Sequence, residues 1–121
     1  CDDGGTRATI REIYRAHSYV CDPHTAVAIR VYEQYRRETG DASPTVIAST
    51  ASPFKFAPDV LEAIEGRPPQ GRCRELLDRL GGLMFTQPPR QLSELLELPV
   101  RFGAACAKDG VAQAVTEILG L

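Results

Sequence analysis

Two short segments carry most of the side chains that could take part in chemistry, and the first is Asp-Pro-His-Thr at residues 22–25. Asp22 is a strong N-cap, and Pro23 suits the first position of a helix because its missing N–H is not needed there. The N–H groups of His24 and Thr25, together with the helix dipole, could bind an anion. His24 could also carry a proton near neutral pH. From the pattern alone, a well-capped helix with a surface histidine is the simpler interpretation.

The second segment consists of Ser49 and Thr50, which follow a short apolar and β-branched run at residues 45–48. We predict that this run is a buried β-strand. Ligands of open α/β sheets bind beyond the carboxyl ends of the strands, so the two hydroxyls could contact a ring nitrogen or an anion. The alternative is a plain Ser/Thr/Pro turn, which the pattern alone favours.

The remaining reactive side chains are weaker candidates. Lys55 lies between two phenylalanines, where an amine can have a lowered pKa and act as a nucleophile. More often, a lysine in this setting lays its stem over apolar neighbours. Lys108, beside an aspartate in a polar turn, is a poorer candidate still. Four cysteines lie far apart without a C-x-x-C motif, so we predict free thiols and no metal site, at Cys1, Cys21, Cys73 and Cys106.

Composition and charge exclude several classes of function. The 121 residues include 14 basic and 16 acidic side chains, a formal net charge of -2. Because the basic residues are scattered among acids, we expect no nucleic-acid partner. The apolar stretches are too short to span a bilayer, and the first residues do not resemble a signal peptide. We therefore expect a cytoplasmic protein. The chain lacks an initiator methionine, and we expect it to be a segment of a longer protein.

The elements that must position these side chains are mainly helices. Apolar periodicity and end signals predict six of them, at about residues 6–17, 22–40, 58–66, 73–80, 91–97 and 111–119. Short extended runs are predicted at residues 19–21, 45–48 and 99–102. Two strands do not form a stable sheet by themselves. We therefore predict a helix-rich α/β fold with two or three short strands, whose other strands lie outside the chain.

Two linked segments resemble the threonine synthase family. Residues 19–28 resemble its "Y-x-x-D-P-H-T-A-V-A" segment, and residues 45–56 resemble its "T-V-x-x-S-T-A-H/S-P-x-K-F" segment. The order and spacing of the two also match. Residues 6–10 resemble the family's "E-T-x-x-T-I" helix start, and residues 98–102 resemble its "K-P-V-R-H/F" stretch. The likeness covers nearly the whole chain and is strongest over residues 6–65.

The resemblance implies the C-terminal segment of a fold-type II enzyme that uses pyridoxal 5'-phosphate. The family's reaction, a lyase step of threonine biosynthesis, converts O-phospho-L-homoserine and water to L-threonine and phosphate. Thr50 matches the hydroxyl residue that faces the pyridine nitrogen, and Ser49 is the second choice for cofactor binding. Asp22, His24 and Thr25 match a helix start that lines the cofactor cleft.

The resemblance also implies what the chain lacks. The family's Schiff-base lysine belongs to an "A-F-K-D"-like motif far upstream of the matched segments, and Lys55 matches a different lysine. Ser52 stands where many members have histidine. We therefore predict no catalytic residue in this chain and no activity of the chain alone. Residues 1–65 would belong to the cofactor-binding α/β domain, and residues 66–121 would form a helical extension packed on it.

The partners implied by the resemblance are the N-terminal part of the enzyme and the substrate O-phosphohomoserine. Self-association of the isolated segment is a further expectation, because a severed interface leaves apolar surface exposed. The alternative hypothesis is a free-standing, non-catalytic helical module that binds a partner or a small anion.

Overall fold

The computed structural model describes residues 1–101 and 103–120, and within these ranges all regular structure is helical. Two 3-10 turns, Pro53–Phe56 and Lys108–Gly110, precede the third and sixth helices. The six predicted helices are confirmed, with shifts at their ends. Their bounds are α1 (Asp3–His17), α2 (Pro23–Thr39), α3 (Ala57–Glu65), α4 (Cys73–Met84), α5 (Arg90–Leu95) and α6 (Val111–Leu119).

The prediction of an α/β fold with two or three short strands is wrong. Over the described residues, the runs at 19–21, 45–48 and 99–101 contain no β-structure, and Phe102 lies outside the described residues. A strand is stabilised by hydrogen bonds to a neighbouring strand, and the described part of the chain provides none. Val46, expected inside a buried strand, is 95% exposed. The β-branched composition of this run therefore does not make it a strand.

The ends of α1 and α2 follow from their capping residues. Asp2 accepts a hydrogen bond from the Gly5 N–H at 2.7 Å, which explains why α1 begins earlier than predicted. Ser18 ends α1 with a positive φ of 52°. The Asp22 side chain caps α2, and Gly40 ends it with a φ of 71°, a conformation that glycine adopts without strain. Both ends of α2 therefore agree with the prediction.

The core lies between α1, α3 and α4, together with the chain that leads into α2. Helix α1 packs on α2 and α3, and α3 packs on α4. Val20 and Cys21, directly before α2, are buried in the same core and hold the start of that helix in place. The other buried apolar side chains are Ile10, Ala26, Phe54, Ala57, Val60, Leu61, Ala63, Leu76, Leu77 and Leu80.

The Gly81–Gly82 pair does not end α4, contrary to the prediction, because the helix continues to Met84. Gly81 is buried, and a Cβ atom there would lie 2.7 Å from the backbone oxygen of Thr86. The chain that leaves α4 thus folds back against the helix at this position. Gly81 allows a close approach of backbone, and Gly82 faces open space.

The C-terminal part contributes little to the core. No residue of α5 or α6 is fully buried. Of the apolar side chains of α6, Ile118 is 81% exposed and Leu119 is 63% exposed. Among the described helices, none has the length and apolar character that a membrane crossing would require.

Candidate functional site

The side chain of Asp22 is fully buried and uses both carboxylate oxygens. Its Oδ1 accepts from the N–H of His24 at 2.9 Å and from the N–H of Thr25 at 3.3 Å. Its Oδ2 accepts from the Thr25 hydroxyl at 2.5 Å. The core residues Val20 and Cys21 place Asp22 at this helix start. The carboxylate therefore does more than cap α2, because it also orients the Thr25 side chain.

The electrostatic state of Asp22 is set by two opposed effects. Burial raises the pKa of the carboxyl, while hydrogen bonds from Thr25 and His24 lower it. The hydrogen bonds prevail, and the pKa lies below the ordinary value for aspartate. Asp22 is thus a carboxylate at neutral pH, able only to accept hydrogen bonds.

The Thr25 hydroxyl also contacts Ser49, with the two oxygens 3.2 Å apart. A threonine hydroxyl has one proton, and the carboxylate of Asp22 must receive it because it cannot donate. The Ser49 hydroxyl therefore donates to the Thr25 oxygen. The result is a hydrogen-bonded chain from Ser49 through Thr25 to Asp22. This chain joins the two candidate segments that the sequence analysis identified separately.

Ser49 and Thr50 lie on the surface, within an irregular segment at residues 40–52. Both are exposed, so their hydroxyls are accessible to a ligand. They do not follow a strand, as the sequence analysis had expected. Their position instead depends on the contact of Ser49 with the start of α2.

His24 presents its ring at the surface beside this chain of hydrogen bonds. Its Nδ1 lies 3.1 Å from Asp22 Oδ1, and its side chain is 63% exposed. Because the carboxylate only accepts, the Nδ1 of His24 donates in this contact. The ring centroid lies 5.2 Å from that of Phe56, with the planes tilted by 58°. The ring is thus held by a carboxylate on one side and an aromatic ring on another.

A cleft of about 300 Å³ opens next to His24. The charged groups that line this cleft include Arg7, whose Nε also lies 3.8 Å from the Oε1 of Glu62. Neither Phe56 nor the α1 side chains were predicted to take part in chemistry, because only the packing of α1 against the start of α2 places them together. The full lining is Asp3, Thr6, Arg7, Ile10, Pro23, His24, Phe56 and Asp59.

The other reactive side chains are not among the residues that line this cleft. Lys55 and Lys108 are exposed in the two 3-10 turns. All four cysteines are free thiols, as predicted. Cys21 is buried, and burial raises the pKa of its thiol to about 11. Among the described residues, no three acidic, histidine or cysteine side chains are grouped as a metal site would require.

Residues 25–117 match the family model described as "Threonine synthase, C-terminal". Threonine synthase from Corynebacterium glutamicum is 40% identical over 63 residues, which are 52% of this chain. Threonine synthase from Pseudomonas aeruginosa is 39% identical over 67 residues, or 55% of the chain. Human threonine synthase-like 1 is 38% identical over 65 residues, or 54% of the chain. The matched regions span 12%, 14% and 8% of these three relatives, respectively.

Proposed function

The chain belongs to the threonine synthase C-terminal family, and from that premise we propose that it forms one wall of the cofactor cleft of a threonine synthase. The complete enzyme would convert O-phospho-L-homoserine and water to L-threonine and phosphate, as a lyase that uses pyridoxal 5'-phosphate. The chain spans about a tenth of the length of its curated relatives, so this activity would require the rest of the enzyme.

One observation carries the proposal, and it is the hydrogen bond between Thr25 and Ser49. The two segments that resemble the family are separated by residues 29–44, which include most of α2, yet their polar residues meet through one hydrogen bond. Their meeting supports a single site that includes the start of α2 and the hydroxyls of Ser49 and Thr50.

The residues present fit a pyridine ring. Thr50 is an exposed, neutral hydroxyl next to the anchored Ser49, and such a hydroxyl can hydrogen-bond a ring nitrogen without adding charge. The bound cofactor would supply an electron sink for the reaction. Thr50 would hold the ring nitrogen, and Ser49 would flank it. The helix start of Asp22, His24 and Thr25 would line the cleft through the His24 ring, with the buried Asp22 and Thr25 behind it. A neutral partner would leave the ring nitrogen mostly unprotonated.

The apolar surface of α2 supports a position inside a larger protein. Val27, Val31 and Tyr35 lie one turn apart along the helix and are 38%, 49% and 47% exposed. Contiguous apolar surface on a helix commonly marks an interface. We propose that the rest of the enzyme covers this stripe, and that the isolated chain uses it for self-association.

We also propose that two parts of the chain have different roles. Residues 1–65 would carry the cleft segments, and residues 66–121 would be a helical extension packed on them. Helix α4 supports this arrangement, because its Leu76, Leu77 and Leu80 are buried in the core shared with α1 and α3.

The proposal is tested by reassembly. The chain would be mixed with the part of the Pseudomonas aeruginosa threonine synthase that precedes its matching segment, with the chain alone as control. We expect the mixture, but not the chain alone, to bind pyridoxal 5'-phosphate and to release phosphate from O-phosphohomoserine. Binding would be followed by the visible absorbance of the cofactor.

Two outcomes would contradict the proposal. Specific covalent binding of the cofactor by the chain alone would identify Lys55 or Lys108 as an anchor. A chain that stays monomeric, unfolds cooperatively and never associates with the other part would instead be a free-standing helical module.

A further inference from the structure

The segment at residues 40–52 has no regular structure, so side-chain contacts must hold it against the helices. At its start, the Tyr35 hydroxyl donates to Asp41 at 2.9 Å. At its end, the Ser52 carbonyl accepts from the Lys55 N–H at 3.1 Å. Between these two points, the hydrogen bond of Ser49 to Thr25 attaches the segment to α2. This bond therefore links the part of the segment that carries the hydroxyls at positions 49 and 50 to the start of α2.

The Thr25 hydroxyl, in turn, has its direction fixed by the buried carboxylate. Thr25 is 5% exposed and Asp22 is fully buried, so water does not compete at this contact. Because the Thr25 proton points to Asp22 Oδ2, the Thr25 oxygen offers its lone pairs to Ser49. The buried end of this chain, from Thr25 to Asp22, has one stable arrangement, since any other would leave the carboxylate oxygen unpaired.

We propose that Asp22 is a positioning residue for Ser49 and Thr50, acting through the Thr25 hydroxyl. The inference rests on the proposed function, in which these two hydroxyls face the cofactor ring. The Asp22 carboxylate also orients the His24 ring, because its Oδ1 lies 3.1 Å from the His24 Nδ1. A single carboxylate thus sets the relative positions of the His24 ring and of the hydroxyls of Ser49 and Thr50. Removal of the Thr25 hydroxyl should disturb the position of these two hydroxyls and leave the His24 contact intact.

The first experiment uses the chain alone and needs no cofactor. Backbone ¹⁵N relaxation would be compared between the native chain, Thr25→Val and Thr25→Ser. Valine keeps the shape of threonine without its hydroxyl, whereas serine restores the hydroxyl. We expect the order parameters at positions 48–50 to fall from about 0.85 to below about 0.6 in Thr25→Val, and to recover in Thr25→Ser.

Two further variants make this experiment specific. Ser49→Ala removes the same bond from the exposed side without disturbing the cap of α2, and we expect the same loosening. Ser52→Ala lies in the same segment, where the side chain makes no capping bond, and we expect native order parameters. Native order in both Thr25→Val and Ser49→Ala would overturn the proposal, as would equal loosening in Ser52→Ala.

The second experiment uses the reassembled enzyme and pyridoxal 5'-phosphate. We expect Thr25→Val to weaken cofactor binding roughly five-fold, the effect of one lost hydrogen bond, and Thr25→Ser to restore it. Unchanged affinity in Thr25→Val would overturn the positioning role. Failure of the native chain to support cofactor binding would instead contradict the proposed function, and the relaxation experiment on the chain alone would still decide whether Thr25 orders the segment.

Discussion

The hydroxyl oxygens of Thr25 and Ser49 lie 3.2 Å apart, although 24 residues separate them in sequence. This bond connects a buried helix start to an exposed turn. It also gives the buried carboxylate of Asp22 a role at the surface, because the direction of each hydrogen bond in the chain depends on the one before it. The energetic importance of Asp22 can be measured directly.

Replacement of Asp22 by alanine should destabilise the chain. The change removes the cap of α2 and leaves the Thr25 hydroxyl and two backbone N–H groups without their acceptor. We expect the free energy of unfolding to fall by about 2 kcal/mol, measured by urea denaturation. Asp2→Ala, which removes an exposed cap from α1, is the matched control and should cost about 1 kcal/mol. Equal losses in the two variants would contradict a special role for Asp22.

The stability of the chain should depend on pH through the same residue. The pKa of Asp22 is lowered in the folded chain, so folding favours its ionised form. The stabilisation is fully present above the ordinary aspartate pKa of about 3.9, and it is lost as the pH falls through the lower folded value. Asp22→Asn keeps a good cap but cannot ionise, so its stability should vary less with pH in this range. Parallel curves for the two proteins would disprove this prediction.

Replacing the two glycines of α4 by alanine should change the free energy of unfolding in opposite directions. At Gly81, the added Cβ would lie 2.7 Å from the Thr86 oxygen, so Gly81→Ala should lower the free energy of unfolding by about 1–3 kcal/mol. At Gly82, a Cβ meets nothing within 4 Å, and alanine favours the helix. Gly82→Ala should therefore stabilise the chain by about 0.4–1 kcal/mol. Thermal unfolding of the pair checks both signs.

Three of the four cysteine thiols should react quickly with an alkylating reagent, and one should react slowly. Cys21 is buried and burial raises the pKa of its thiol to about 11, whereas Cys1, Cys73 and Cys106 are exposed. Brief treatment of the native chain with iodoacetamide at pH 8 should label the three exposed residues. Cys21 should react only after unfolding in urea. Peptide mass spectrometry locates each label, and rapid native labelling of Cys21 would mean that the core opens at the start of α2.

Under the proposed function, the hydroxyl of Thr50 contributes more to cofactor binding than the hydroxyls of its neighbours do. Thr50→Ala in the reassembled enzyme should weaken pyridoxal 5'-phosphate binding by about five-fold to ten-fold, because it removes the partner of the ring nitrogen. The stability of the chain should not change, since Thr50 is exposed. Thr45→Ala provides an exposed threonine in the same segment as the control. Equal affinities for both variants would argue against a contact between Thr50 and the ring.

The helices could be predicted from the sequence because their signals are local. Asp22, Pro23 and Gly40 mark both ends of α2 without reference to the rest of the chain. The strand prediction at residues 45–48 failed for the opposite reason, since a strand depends on partners elsewhere and the described residues contain none. The end of α4 was also wrong, because the role of Gly81 depends on the returning chain at Thr86.

In the candidate site, too, the features with local signals were predicted and those that depend on distant parts of the chain were not. Ser49 and His24 could be selected from residue type and context, and the structure brings their segments together through Thr25. That contact could not be predicted, because it depends on the path of an irregular segment. Phe56 and the α1 side chains of the cleft were not predicted to meet His24, because the motifs that contain them do not specify which segments pack together.

The core closes without help from residues 40–52, all of which are described and none of which is fully buried. Apart from Gly40, whose positive φ ends α2, substitutions in this segment should therefore be tolerated by folding far better than substitutions in α1 or α3. A deep mutational scan scored for protein abundance should therefore show little effect at residues 41–52. Under the proposed function, a scan scored for threonine-independent growth should show clear effects there, and those effects would report on contact with the ligand or with the rest of the enzyme and not on the stability of the fold.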